Sequence, residues 1–359
     1  MDKNVNMLIL DRDSEIGIAY LDFYLPETCY SVLEYSRRSE EMSPEEMQVI
    51  WTDTGVEPEV MYSYFQSETE SDRGNFDFPA PHEVKEFVAY TGIDRIYCAS
   101  GENASDMSVK VAKQIMSREP NLAKQIDMLT CYQSTINQSP AWSTVCRLQY
   151  ELGLGKIPTF TVSQKAGNCS LVALKIAWEA LRSEPEMGSV LMVGGEKLVP
   201  PYRRAFGKLT AMGDSASAML LRRNVSRLRP ICFNIRDYPD WWNPNQYSSS
   251  QMSALVEFLA DEAVSLMNET LEALKLRWKD VSWVISPGFS RVLLQGLEAR
   301  LPDQNMYSRN LARFGHLPSS DPVIALSMIL EEELVGQGDL VLLLNLGLGL
   351  SLGVVALVV

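Results

Sequence analysis

The sequence predicts an α/β protein built from two similar halves, and three observations carry that prediction. From Thr91 onward, short apolar runs alternate with amphipathic stretches of helical period, the pattern of strands layered with helices. One helix-to-strand unit then recurs. Val172-Ala173-Leu174 leads to Gly188-Ser189-Val190-Leu191-Met192-Val193, and Val323-Ile324-Ala325-Leu326 leads to Gly338-Asp339-Leu340-Val341-Leu342-Leu343. The helix-to-glycine distances differ by about two residues, a small difference for a connecting loop. Self-similarity on this scale points to a duplicated half, the alternative being a coincidence of two common units. Finally, the apolar stretch from Leu340 to Val359 is broken by Asn345, Ser351 and several glycines. It reads as two buried strands joined by a Gly-rich turn rather than as a membrane span.

The elements follow in order. Met7–Leu10 and Ile16–Phe23 read as early strands, and Tyr24-Leu25-Pro26-Glu27 ends that unit with a helix-breaking proline. Residues 38–80 are polar, acidic and without clear period, the mark of a helical or looped insertion. Ile96–Ala99 is a short strand. Ser105–Ile115 is an amphipathic helix with Asp106 near its N-terminus, where a carboxylate suits the macrodipole. Asp127–Tyr132 is a strand, Ser139–Leu152 a helix ended by Gly153, and Thr159–Ser163 a strand. Leu171–Leu181 is a helix, Ser189–Val193 a strand closed by Gly194-Gly195, and Ser215–Leu221 another strand. Past that point the second half brings helices at Ser253–Lys275, Arg291–Leu301 and Pro322–Glu333, with strands at Trp283–Ile285 and Leu340–Leu344. A chain of 359 residues suits two domains or one duplicated unit. The expected halves are residues 1–225, including the insertion, and 226–359.

Composition narrows the function. The net charge is −14, with acidic residues concentrated between Glu40 and Asp72. A nucleic-acid surface would need clustered Lys and Arg, and the acidic run reads as a solvated insertion. The six cysteines show no CxxC pair and no Cys/His cluster at metal spacing, so no metal is expected and the thiols read as reduced in a cytoplasmic protein. The N-terminal stretch carries charges and lacks a signal-peptide core, and no membrane association is expected.

Several landmarks, in this order, resemble the ketoacyl-ACP synthase III branch of the thiolase superfamily. Tyr24-Leu25-Pro26-Glu27 is similar to the family's early Y-L-P-E turn, and Thr91-Gly92-Ile93-Asp94-Arg95 to its T-G-I-x-x-R segment. Ala104-Ser105-Asp106-Met107 resembles the start of the helix that follows. Met212-Gly213-Asp214-Ser215-Ala216-Ser217-Ala218 resembles its F-G-D-G-A-x-A strand. Gly338 to Leu343 and Gly347 to Gly353 resemble its closing strand and Gly-rich turn. The resemblance spans nearly the whole chain outside 38–80. It implies the thiolase fold, five layers in the order αβαβα, and a dimer, either of identical chains or with a related subunit. It also implies acyl transfer: a cysteine at a helix N-terminus takes an acyl group from a carrier-protein or coenzyme A thioester, and histidine and asparagine groups assist. No cofactor beyond that thioester substrate is implied.

Cys169, in Ala166-Gly167-Asn168-Cys169-Ser170, stands directly before the Leu171–Leu181 helix. A helix N-terminus lowers a thiol's pKa, which makes Cys169 the candidate nucleophile. The other reading is a small buried side chain at a helix start. Ser170 is a weaker substitute because a hydroxyl needs an adjacent base. Aligned without gaps on Ala173-Leu174-x-x-Ala177, the family's cysteine falls at Gly167. In the second half, Trp283 to Ser290 occupies the family's histidine segment, with Pro287 in the histidine's place. Gly315-His316 stands where the family has Gly-Asn and is similar to the thiolase form of the site.

Of the two histidines, His82 sits in a Pro-rich loop and reads as an exposed bystander. His316 is the candidate general base, its imidazole suited to proton transfer near neutral pH. The other reading of His316 is a cap or core histidine. Asp321, five residues on, reads first as the N-cap of the helix starting at Pro322 and second as a partner orienting His316. The resemblance puts the oxyanion hole at the backbone N–H groups of Cys169 and Gly349. Glu86 and Phe87 occupy one neighbourhood of the family's coenzyme A clamp and Phe206-Gly207-Lys208 the other. Arg203, Arg204 and Lys208 are candidates to meet a phosphate or an acidic carrier face, or form a solvated basic loop. The site as a whole departs from the family's ordinary Cys-His-Asn set. The functions this leaves are an acyltransferase or condensing enzyme of specialised metabolism acting on a small-molecule acceptor, or a catalytically silent subunit partnering an active enzyme.

Overall fold

The structure is a computed structural model that describes residues 7–10, 15–41, 78–135, 142–198, 204–301 and 304–359. The first sheet has five strands: β2 (Ile16–Tyr24), β5 (Met128–Tyr132), β6 (Thr159–Val162), β7 (Ser189–Glu196) and β10 (Ser215–Arg223). They lie in the order β6-β5-β7-β10-β2, with β6, β5 and β7 parallel and each later pair antiparallel. The second sheet contains β11 (Arg229–Asp237), β12 (Trp283–Ile285), β13 (Met306–Tyr307), β14 (Leu340–Gly347) and β15 (Ser351–Val358). Their order, β13-β12-β14-β15-β11, repeats the same pattern of two parallel and two antiparallel pairings. The second sheet also has a sixth strand, β1 (Met7–Ile9), paired antiparallel with β11. That strand is numbered in the first half of the chain but belongs to the second half's sheet. Two small ladders complete the strands among the described residues, β3 (Cys29–Ser31) with β4 (Arg95–Tyr97) and β8 (Ala205–Phe206) with β9 (Thr210–Ala211).

Side chains of successive strand residues point to opposite faces, so each sheet presents two apolar faces. Met128 and Tyr132 of β5, Val190 and Met192 of β7, Val341 and Leu343 of β14, and Val355 and Leu357 of β15 share one cluster. Between them pack α5 (Cys169–Ser183) and α9 (Asp321–Glu331). These are the two helices matched by the internal repeat, and they form the middle layer. Leu129, Cys131, Leu191 and Val193 face the other way, onto α3 (Ala104–Met116) and α4 (Thr144–Glu151). Leu342, Leu344, Val354 and Ala356 likewise cover α6 (Ser249–Leu274) and α7 (Arg291–Glu298). The result is five layers, αβαβα, as expected for the thiolase fold.

Three further helices among the described residues flank these layers: α1 (Val32–Glu41), α2 (Val84–Thr91) and α8 (Arg309–Phe314). Caps fix several boundaries. Asn103 and Asp106 form a reciprocal capping box at the start of α3. Ser248 and Gln251 do the same for α6, which therefore starts four residues before the apolar periodicity predicts. Strand β11 is a correction to the sequence reading, which has no element there. Its RPICFNIRD sequence mixes charges with apolar residues because Arg229, Arg236 and Asp237 lie at its ends. The run Ser189–Val193 also continues as strand through Gly194 and Gly195 to Glu196. A side chain at Gly194 would overlap the Tyr132 ring, so this close approach requires glycine. Of the acidic insertion, residues 42–77 lie outside the described residues. No helix among the described residues is long and apolar enough to cross a membrane.

Candidate active site

Helix α8 ends at Gly315, whose φ of 75° turns the chain sharply into His316. The backbone there is pinned: His316 bridges Met212 in parallel fashion, and the Gly213 N–H donates to the His316 carbonyl at 2.9 Å. The imidazole is buried, its side chain 5% exposed. Nδ1 lies 2.7 Å from the Asp321 Oδ2, and the ring meets Phe289 edge-on at 5.5 Å. Asp321 also accepts the Gly288 N–H at 2.8 Å and the Leu317 N–H at 3.1 Å. Backbone N–H groups cannot reverse their role, so both carboxylate oxygens are committed as acceptors. An ionised carboxylate can only accept, so Nδ1 is the donor beside it, and in the neutral ring the lone pair lies on Nε2. Nε2 has no hydrogen-bond partner among the described residues.

This corrects the first reading of Asp321. The helix begins at Asp321 itself, the cap position belongs to Ser320, and the carboxylate turns back to orient His316. Proline at 287 has no side-chain proton to move. Its segment supplies the Gly288 N–H to Asp321, and a Cβ at Gly288 would stand 2.8 Å from the Gly315 carbonyl. His82 is exposed in a turn after Pro81, away from these contacts.

The loop bearing His316 packs against the strand-to-helix turn of the first half. Ser319 Oγ donates to the Ala166 carbonyl at 3.3 Å. Asn345 Nδ2 donates to the Gly167 carbonyl at 2.6 Å and reaches the Pro318 carbonyl at 3.4 Å. A Cβ at Gly167 would overlap the Leu346 carbonyl and lie 3.2 Å from the Pro318 carbonyl, so position 167 has no room for any side chain. Two residues of the turn have positive φ, Gln164 at 61° and Ala166 at 42°; Ala166 is partly exposed and ends in a methyl group.

Cys169 opens α5 but is 0% exposed, and its Sγ donates to the Gln133 carbonyl at 3.6 Å. Burial first, and the nearby Glu196 second, push its thiol up to about 12. The expected low-pKa nucleophile is therefore corrected: desolvation outweighs the helix terminus. Half of the expected oxyanion pair is corrected too: the Cys169 N–H is taken by the Ala166 carbonyl. Ser170 is buried with its hydroxyl unpartnered.

Two site residues escaped sequence reasoning. Glu196, fully buried at the end of β7, accepts bonds from the Ser134 N–H (2.7 Å) and hydroxyl (2.9 Å), from the Thr135 N–H (2.9 Å) and hydroxyl (2.8 Å), and from the Ser319 hydroxyl. It thus ties the end of β5 to the loop bearing His316. Asn345 ties that loop to the turn between β6 and α5. Each was visible as a lone polar residue in or ending an apolar strand. Arg204, a candidate phosphate ligand, is instead buried against Asp214, with bonds of 2.7 and 2.9 Å. Arg203 lies outside the described residues. Lys208 is exposed and sits 3.5 Å from Glu83. It joins Glu86, Phe87, Tyr90, Leu209 and Met252 around an open groove of about 400 Å³, so the two neighbourhoods expected for a coenzyme A clamp meet in one place. Among the described residues no cluster of His, Cys, Asp and Glu could hold a metal ion.

Comparison with known proteins agrees with this architecture. Residues 271–359 match the family model of the 3-oxoacyl-[acyl-carrier-protein] synthase III C terminal. A β-ketoacyl-[acyl-carrier-protein] synthase III of Clostridium perfringens is 24% identical over 285 residues, covering 73% of this chain and 87% of its own length. The structure of 3-oxoacyl-[acyl-carrier-protein] synthase III from Aquifex aeolicus superposes with a TM-score of 0.72 at 20% identity, over 96% of this chain and 100% of that one. ChlB3, described as an acyltransferase, gives 0.73 at 20% identity over 96% and 98%. With the duplicated sheets, the five layers and these matches in agreement, the chain has the thiolase fold, and its sequence is similar to ketoacyl-ACP synthase III over 73% of its length.

Proposed function

We propose that this protein is an acyltransferase of the ketoacyl synthase III type, acting in specialised, polyketide- or fatty-acid-like metabolism. It moves an acyl group from a carrier-protein or coenzyme A thioester to a small acceptor. The observation that carries the reading is the buried His316–Asp321 pair, with Nδ1 fixed as donor and Nε2 left unpartnered. Such an imidazole serves as a general base. The groove beside Lys208 and Met252 is the candidate seat for the donor's pantetheine arm. The departure from the family's Cys-His-Asn set speaks against routine fatty-acid initiation, and the chain is expected to dimerise. Incubation with acyl-coenzyme A and acyl-carrier thioesters plus small alcohols and amines tests the reading. Released thiol in the wild type, lost in His316→Ala, supports it.

One observation favours a second reading, an inactive ketosynthase-like subunit that partners an active condensing enzyme. The turn where a nucleophile belongs holds Ala166 and a Gly167 with no room for a side chain. No thiol release with any donor, together with a stable complex with a condensing enzyme encoded nearby, would establish it.

A further inference from the structure

Residues 166–169, where the turn from β6 enters α5, are accounted for without a nucleophile. Ala166, partly exposed at φ 42°, offers only a methyl group. Gly167 is enclosed by the Leu346 and Pro318 carbonyls. Asn168 is fully buried and donates to the Ser351 hydroxyl at 2.9 Å. Cys169 is fully buried, its thiol on the Gln133 carbonyl and its N–H on the Ala166 carbonyl. The base, by contrast, is complete: His316 is held by Asp321, which is itself held by two backbone N–H groups. Covalent catalysis needs a nucleophile within reach of a base. Direct transfer needs only the base and an acceptor brought against the thioester.

Building on the acyltransferase reading, we propose that acyl transfer in this protein is direct and passes through no acyl-enzyme. The acceptor's O–H or N–H gives its proton to Nε2 of His316 as its oxygen or nitrogen attacks the thioester carbonyl. The new carbon–oxygen or carbon–nitrogen bond forms, and the carbon–sulfur bond breaks. The proton passes from Nε2 to the departing thiolate, leaving acylated acceptor and free thiol. His316 is the catalytic residue, Asp321 a positioning residue, and Cys169 stands outside the chemistry.

The test uses the full chain with acetyl-, hexanoyl- and lauroyl-coenzyme A and a panel of small alcohols and amines. Released thiol is followed together with the intact protein mass. Expected are thiol release that requires an acceptor, intersecting double-reciprocal plots, and no mass adduct when wild type is quenched with donor alone. Cys169→Ala should keep its rate within about twofold, while His316→Ala should lose about 10²–10⁴-fold. An acyl adduct on Cys169 that passes to the acceptor, or parallel plots, overturns direct transfer while leaving the acyltransferase reading intact. The wild-type mass decides this even where Cys169→Ala folds poorly. No thiol release with any pair and no adduct overturns both.

Discussion

Replacing Asp321 by Asn separates the two jobs of that carboxylate. Asp321 is 1% exposed, with Oδ1 accepting the Leu317 N–H at 3.1 Å and Oδ2 facing the Gly288 N–H at 2.8 Å and the His316 Nδ1 at 2.7 Å. An amide nitrogen must take one of those oxygen positions. Placed at Oδ2 it would oppose one fixed donor and displace a second bond, whereas at Oδ1 it opposes only the longest. The amide should therefore turn its NH₂ toward Leu317. The Leu317 N–H and the NH₂ facing it are then two donors without an acceptor between them, which costs about 1–3 kcal/mol of stability for each one left unpaired. The His316 tautomer should survive, with hydrogen on Nδ1. What is lost is the negative charge facing the imidazolium that forms during proton transfer. At about 4 Å and an effective dielectric of about 20 this is up to about 4 kcal/mol, a rate loss of about 10²–10³. Urea unfolding gives the stability change, and thiol release from acyl-coenzyme A gives the rate. Since the chain has two histidines, ring ¹⁵N spectra resolve the tautomer directly. An unchanged urea midpoint with an unchanged rate would refute the argument that Asp321 holds and supports His316.

Two further predictions concern crowding and burial. Gly167→Ala should destabilise by about 2–4 kcal/mol, from backbone overlap at the Leu346 and Pro318 carbonyls and a loosened Asn345–Gly167 bond. A urea midpoint equal to wild type would sink the claim that position 167 has no room. On the alkaline side, burial pushes the thiols of Cys98 up to about 11 and of Cys169 and Cys232 up to about 12. Native thiols then hold protons that unfolded thiols release above about pH 8.5. Stability is full below that value and falls as pH rises through it, by up to about 1.4 kcal/mol per pH unit for each thiol. A stability curve that stays flat to about pH 10.5 would contradict it.

The fold was legible because it rests on periodicity, which survives sequence change. Val341 and Leu343 against Leu342 and Leu344 show the two-faced strand directly, and the paired α5–β7 and α9–β14 units are the middle of each half. Strand β11 was missed because its charged ends mask a buried centre of Pro230 to Asn234. The site was half legible. His316 stood out as one of two histidines, beside a Gly that must turn the chain. Cys169 misled for a physical reason: spacing shows that a residue precedes a helix but not which way its side chain points. Here one turn of 3-10 helix, Ala166–Asn168, carries the thiol round toward Gln133. The Asp321 assignment failed in a related way, since a capping residue and an orienting carboxylate share one sequence signature.

Glu196 supplies a test of what holds the site together. Burial raises its carboxyl above the ordinary value, against the pull of hydrogen bonds from Ser319, Ser134 and Thr135. The native state then keeps a proton that the unfolded chain would lose. That contribution is complete below the unfolded value of about 4.3 and disappears as pH rises through the native one. Glu196→Gln has no such proton. Its amide must oppose either the Ser134 or the Thr135 N–H, a cost of about 1–3 kcal/mol that does not vary with pH. The informative quantity is therefore the slope and not the offset. Between about pH 4.5 and 7, wild type should lose stability relative to Glu196→Gln by up to about 1.4 kcal/mol per pH unit within the titration window. If wild type gains instead, the donors prevail over burial and Glu196 is a settled carboxylate. Either slope bears on His316, because the Ser319 hydroxyl that meets Glu196 lies three residues along the same loop. A protonated Glu196 would hold that loop with one acceptor fewer, so the geometry of the base would itself loosen as pH falls.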